Sequence, residues 1–197
     1  VMVFIIVLAL IARHAVLHGD EKPSGLQNFV EMIVEMLDNL VKGSMGRHWR
    51  PFVNYIGTIM VFIFFANTSG LFGLRPPTAD YGTTLALALI TFVLIQYGAF
   101  KTSKLHVFTD LFKPIPILFP INLIGEFATP LSMSLRLFGN IMAGTIMMAL
   151  WYGLLPWLAQ LGIPAFLHMY FDLFSGAIQT FVFAMLTMTF ITDKREA

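Results

Sequence analysis

The sequence predicts an all-α integral membrane protein with about five transmembrane helices, the first truncated, plus one amphipathic helix on the bilayer surface. Three observations predict it. Of 197 residues, 57% are hydrophobic and 12% charged, where a soluble domain is about 45–50% apolar and about 25% charged. The apolar residues come in runs near or above the roughly 20 needed to cross a bilayer. The charges collect between those runs, mostly on one side.

The elements follow in order. Residues 1–12 are apolar and end at Arg13-His14. Twelve residues are too few to span, and the run lacks the basic start and small-residue end of a signal peptide. It is expected to be the end of a first span whose beginning lies upstream. A polar loop leads to residues 26–42, where Leu26, Phe29, Val30, Ile33, Met36, Leu37 and Leu40 recur at helical spacing among Gln27, Glu31, Glu35 and Asp38. This amphipathic pattern predicts a surface helix; a helix packed on its own protein is the other reading. Spans are expected at 52–72 and 82–100, separated by a turn carrying Arg75, Pro76 and Pro77. A polar loop with Lys104, His106, Asp110 and Lys113, then Pro114, Pro116 and Pro120, approaches a long apolar stretch at 121–155. Pro156 and Pro164 separate it from a final span at 164–192. Both last segments exceed one bilayer thickness, so tilted or bent helices are expected. The whole chain reads as one membrane domain.

Ten of the twelve Lys and Arg fall on one side, Arg75 alone on the other, and Arg136 inside a helix. By the positive-inside rule the basic loops and the C-terminus face the cytoplasm. The formal net charge of +1 points to no nucleic acid, and the absence of cysteine excludes a disulfide framework and thiol chemistry. The five histidines are scattered without ligand spacing, and no cofactor or metal is expected.

Intramembrane ionisable residues are costly and usually functional. Arg136 stands deep in an apolar run, at a cost of about 2.5–3.5 kcal/mol at mid-bilayer on insertion scales. It needs a carboxylate or a water-filled crevice; a buried ion pair tying two helices is the plainer alternative. Ser132, Arg136 and Asn140 are spaced by four and share a face, and Gly139, Ala143 and Gly144 permit close approach of another helix. On the last span, His168, Asp172, Ser175, Gly176 and Gln179 follow the spacing of one helical face, descending about 16 Å. Beyond Gln179 that face is apolar at Phe183 and Leu186. A polar track that stops half-way, level with a lone arginine, reads as an aqueous half-channel, or else as interhelical hydrogen bonding.

The run Pro130-Leu-Ser-Met-Ser-Leu-Arg-Leu-Phe-Gly-Asn140 with Ala143-Gly144 closely resembles the signature of subunit a of the F-type ATP synthases. Gly176-Ala-Ile-Gln-Thr-Phe-Val-Phe-Ala-Met-Leu-Thr187 resembles that family's last helix, and Pro77-Thr-Ala-Asp80 with Thr83-Thr84 its outer loop. The resemblance covers nearly the whole chain. It implies the stator half of an ion channel, with two offset half-channels for H+ or Na+ coupled to rotation of a ring of c subunits. The chain itself would not be an enzyme. The implied partners are the c ring, the peripheral-stalk b subunits, the remainder of the ATP synthase and the lipid of a bacterial inner membrane. Arg136 would be the stator arginine, with Asn140 and Gln179 as polar neighbours and Asp80 in the outer channel. Two positions depart from the family pattern. Thr145 stands where many relatives carry a carboxylate or histidine, and Asp172 where many carry histidine or glutamate. Nine residues from Arg136, Thr145 falls on the opposite side of an ideal helix, lining a channel behind it. Asp172 is left as the titratable relay of the outer half. Glu126 and Asp193 are candidates for the opposite path. A secondary transporter binding an anion at Arg136 is the rival class, but its usual internal repeats are absent; a purely structural membrane subunit is the third.

Overall fold

A computed structural model describes residues 1–17, 25–103, 119–154 and 163–196. All its long elements are helices: α1 (Met2–Leu17), α2 (Gly25–Met45), α3 (Val53–Thr68), α4 (Tyr81–Ser103), α5 (Phe119–Leu154), α6 (Ile163–His168) and α7 (Gly176–Glu196). A π-helical segment, Met169–Ser175, joins α6 to α7 in one continuous rod. Short 3-10 turns at Ser69–Phe72 and Pro77–Ala79 close the connection between α3 and α4. The loop with Lys104, His106, Asp110 and Lys113, and the break at Pro156, lie outside the described residues.

Four helices are long and apolar enough to cross a membrane, at Val53–Phe72, Tyr81–Lys101, Phe119–Leu154 and Phe166–Arg195, and a shorter apolar helix covers Met2–His14. The protein is an all-α membrane protein. Large apolar side chains stay exposed along these rods, among them Val93, Tyr97, Ile124, Phe127 and Leu150. In water that would be an aggregation surface; in lipid it is a solvated face.

The core is built around α7. Ala184, Met188 and Ile191 pack with Val41 and Met45 of α2, Phe52 and Ile56 beside and on α3, and Ile95 of α4. Phe183 joins Ile59 and Ile63 of α3, Ala88 of α4, and Met133 and Leu137 of α5. The buried residues of α7 (Gly176, Gln179, Thr180, Phe183, Ala184, Thr187, Met188 and Ile191) are separated by alternating steps of three and one, so that they fall at i, i+3, i+4 and i+7 along one side of a helix. Burial is uneven. Only 22% of the most apolar stretch of α5 is buried within the chain, against 44% for the final rod. One long helix therefore turns most of its surface outward.

The amphipathic helix α2 packs on its own protein. Val41 and Met45 enter the core, and Leu37 Cδ1 comes to 3.8 Å from the space a side chain would take at Gly57. Phe29, Met32 and Met36 face outward. Inside α5, Pro130 is buried and supplies no N–H to the carbonyl of Glu126 four residues back. Ser134 and Thr129 turn their hydroxyls onto backbone carbonyls nearby, at 2.9 Å to Leu131 and 3.2 Å to Gly125.

Candidate ion-path residues

Arg136 sits at the midpoint of α5, seventeen residues from Phe119 and eighteen from Leu154. A helix of 36 residues is about 54 Å long, against about 30 Å for a hydrocarbon layer, and Arg136 is about 25 Å from either end. The Arg136 side chain is exposed and borders an open groove of about 230 Å³. Gly125, Thr129 and Ser132 line the groove from α5, and Leu186 and Phe190 from α7. Among the described residues the ion pairs are His168–Asp172 and Lys194–Glu126, and neither involves Arg136. Beside it, Gly139 has nothing among the described residues within 4 Å of where a Cβ would stand, and Ala143 is exposed.

Ser132 and Arg136 share this open face, but Asn140 turns inward. Its Oδ1 accepts a hydrogen bond from Ser175 Oγ at 2.7 Å. One turn on, Gly144 admits Phe171, whose Cβ lies 3.3 Å from the space a side chain would need. These two contacts set the antiparallel register of α5 against the final rod. They step by four residues in opposite directions along the two helices, and the next step brings Arg136 level with Gln179. The two side chains diverge: Gln179 is 8% exposed, Arg136 is open, and no hydrogen bond joins them among the described residues. Among the described residues the buried donors Asn140 Nδ2 and Gln179 Nε2 have no acceptor.

The polar stripe of the last span divides in two. A π-helical stretch closes its bonds one residue later than an α-helix, which rotates the residues around it. Phe171 and Ser175 face α5. Asp172 and Gly176 face the end of α3 and its turn. A Cβ on Gly70 would stand 2.9 Å from Asp172 Cγ, and one on Gly176 would stand 2.9 Å from Asn67 Cβ. Asn67 donates to the Gly176 carbonyl at 3.3 Å and accepts from Thr78 Oγ1 at 2.8 Å. Thr180 Oγ1 bonds the same carbonyl at 2.9 Å. Asn67 and Thr78 are fully buried. Sequence reasoning passed over Asn67 and Gly70, although an asparagine within an apolar span was a visible signal.

Two expected channel residues stand apart from this cluster. Asp80 is exposed; its Oδ1 accepts from the Gly82 N–H at 3.0 Å and starts α4, a helix N-cap role. Thr145 is exposed, and its hydroxyl returns to the Ile141 carbonyl of its own helix at 2.9 Å. At the other end, Glu126 pairs with Lys194 and accepts from Gln96 Nε2 at 2.8 Å, a tie across three helices. Asp193 is exposed.

The sequence model of the family described as "ATP synthase A chain" matches residues 1–192. The chain belongs to that family. It is similar to a protein of Propionigenium modestum named "ATP synthase subunit a, sodium ion specific", with 42% identity over 186 residues. The match covers 86% of this chain and 63% of the relative, so the chain spans less than two thirds of that protein's length. Among the described residues Arg136 has no ion-pair partner, and it stands at the midpoint of the least buried of the four long spans.

Proposed function

We propose that the chain is the stator a subunit of an F-type ATP synthase, carrying ions through two offset half-channels as a ring of c subunits turns. The observation that carries this is Arg136: central, outward, and without a carboxylate partner among the described residues. A cation placed so is costly unless a partner supplies the counter-charge, and Gly139 and Ala143 leave room for that partner to approach and leave. A desolvated cation opposite a carboxylate favours the ionised form. A neutralised carboxyl can turn into lipid, while an ionised one cannot cheaply do so. Arg136 thus releases the bound ion and blocks the ring from carrying charge straight back.

The outer half-channel runs along the final rod. Asp172 is its relay, Asn140 and Gln179 offer hydrogen-bonding groups down to the level of Arg136, and Asn67 and Thr78 support the wall. Asp80 stands at its mouth, and Thr145 contributes no titratable group. The opposite path starts at the groove below Arg136, near Glu126 and Asp193. The sodium-specific relative supports Na+ as the ion carried, with H+ the alternative. The c ring, the b subunits and the rest of the complex are the partners. The setting is a bacterial inner membrane with the C-terminus in the cytoplasm, supported by the ten basic residues on that side.

The test is ATP-driven ion pumping by the assembled complex in vesicles, with and without Arg136→Ala, while sodium is varied and an uncoupler is added in parallel. Wild-type pumping that the assembled variant loses is the expected outcome. Dependence on sodium with persistence under uncoupler identifies Na+; collapse under uncoupler identifies H+. Undiminished pumping by Arg136→Ala would refute the stator role.

A further inference from the structure

Asp172 is not free within the outer cluster. His168 Nδ1 lies 2.9 Å from its Oδ2, one helical turn toward the outer end of the rod. The imidazole is 36% exposed and the carboxylate 18%, so the ring stands on the outward side and covers one of the two oxygens. The other flank is closed by backbone. A Cβ at Gly70 would come within 2.9 Å of Asp172 Cγ, 3.0 Å of Oδ2 and 3.1 Å of Oδ1, closer than real Cβ atoms approach, so the carboxylate uses the side-chain space that glycine leaves. Among the described residues His168 is the only ion-pair partner of Asp172. Among the described residues, the groups facing this region from the packed elements are Gly70 of the 3-10 turn, Asn67 of α3, and Asn140 and Gly144 of α5. None of them titrates.

We infer that His168 is a positioning residue for Asp172, a clamp that with the Gly70 socket fixes the relay carboxylate. This rests on the outer-path role proposed for Asp172. A ring donating from Nδ1 orients the carboxylate through one oxygen and leaves the other for the transported ion.

The experiment uses the whole complex in vesicles and follows ATP-driven pumping for wild type, His168→Gln, His168→Leu, Gly70→Ala and Asp172→Asn, with assembly checked for each. Glutamine keeps a donor at this position and should hold the rate near wild type. Leucine removes the donor, and alanine at Gly70 displaces the carboxylate. Each of these two should slow pumping by roughly tenfold, the scale of one hydrogen bond to a charged group. Should His168→Leu assemble poorly, the Gly70→Ala rate carries the decision. Full-rate pumping by His168→Leu, or by Gly70→Ala, would overturn the clamp. Full pumping by Asp172→Asn would remove the relay role beneath it, leaving the Arg136 assignment to stand or fall on its own variant.

Discussion

Two cations on the long helices are treated in opposite ways. Lys194, near the end of α7 where it could reach water, is paired with Glu126 and held in a three-helix tie through Gln96. Arg136, at the centre of α5 where a lone charge costs most, has no carboxylate of this chain among the described residues. Were stability the only requirement, the pairing would be reversed. The difference fits the proposal that the counter-charge for Arg136 comes from a partner, while the Glu126–Lys194 pair joins helices of this chain. The groove beside Arg136, walled by Leu186 and Phe190, is kept apolar on the α7 side. Nothing there competes for the guanidinium.

That contrast breaks most visibly if Arg136 is given a partner at home. Leu186→Glu places a carboxylate on the opposite wall of its groove. The assembled complex should lose ion pumping nearly as completely as with Arg136→Ala, because a buried pair of this kind resists opening; removing one partner of such a pair costs about 3–5 kcal/mol. Vesicle pumping with Leu186→Gln as the neutral control measures it. Full activity of Leu186→Glu would mean that the groove does not face the working side of Arg136.

The next test separates the outward surface from the inward one. Gly139 and Gly144 lie on the same helix, yet among the described residues a side chain at Gly139 meets nothing, while one at Gly144 meets Phe171 Cβ at 3.3 Å. Gly144→Leu should lower the chain's own stability by about 1–3 kcal/mol, as overpacking does, read as an earlier midpoint of SDS-induced unfolding. Gly139→Leu should leave that midpoint in place and slow pumping instead, since only a protein outside the chain is obstructed. Equal effects of the two substitutions on stability would erase the distinction.

The parts legible in the sequence are those the bilayer enforces. A hydrocarbon layer demands long apolar runs and makes any ionised residue conspicuous, so the four long rods and Arg136 stand out from the order of residues alone. The buried side of α7 does not. Lipid and protein interior are equally apolar, so Phe183, Ala184 and Met188 in the core are chemically indistinguishable from Phe181 and Ile178 facing out. The π segment is equally hidden. Its one-residue shift splits a stripe that ideal α geometry places on a single face, sending Ser175 to Asn140 and Asp172 to Gly70. Asn67 and Thr78 are visible as polar letters, but their meeting with Gly176 depends on a fold-back through Pro76 and Pro77 that no local spacing encodes.

The smallest effect sharpens the other half of the comparison. If the tie at Lys194 is structural, Lys194→Met should cost only on the order of 0.5–1 kcal/mol, because both partners are partly exposed and such pairs are screened. Glu126 would keep the hydrogen bond from Gln96 Nε2, so its charge is not left bare. Pumping should persist at near wild-type rate, with the loss confined to the unfolding midpoint. The double variant Glu126→Gln with Lys194→Met should recover part of that loss, since the orphaned carboxylate is then gone and glutamine still accepts from Gln96. A large fall in pumping from Lys194→Met alone, at unchanged stability, would place this ion pair on the ion's route and make the two cations alike in kind.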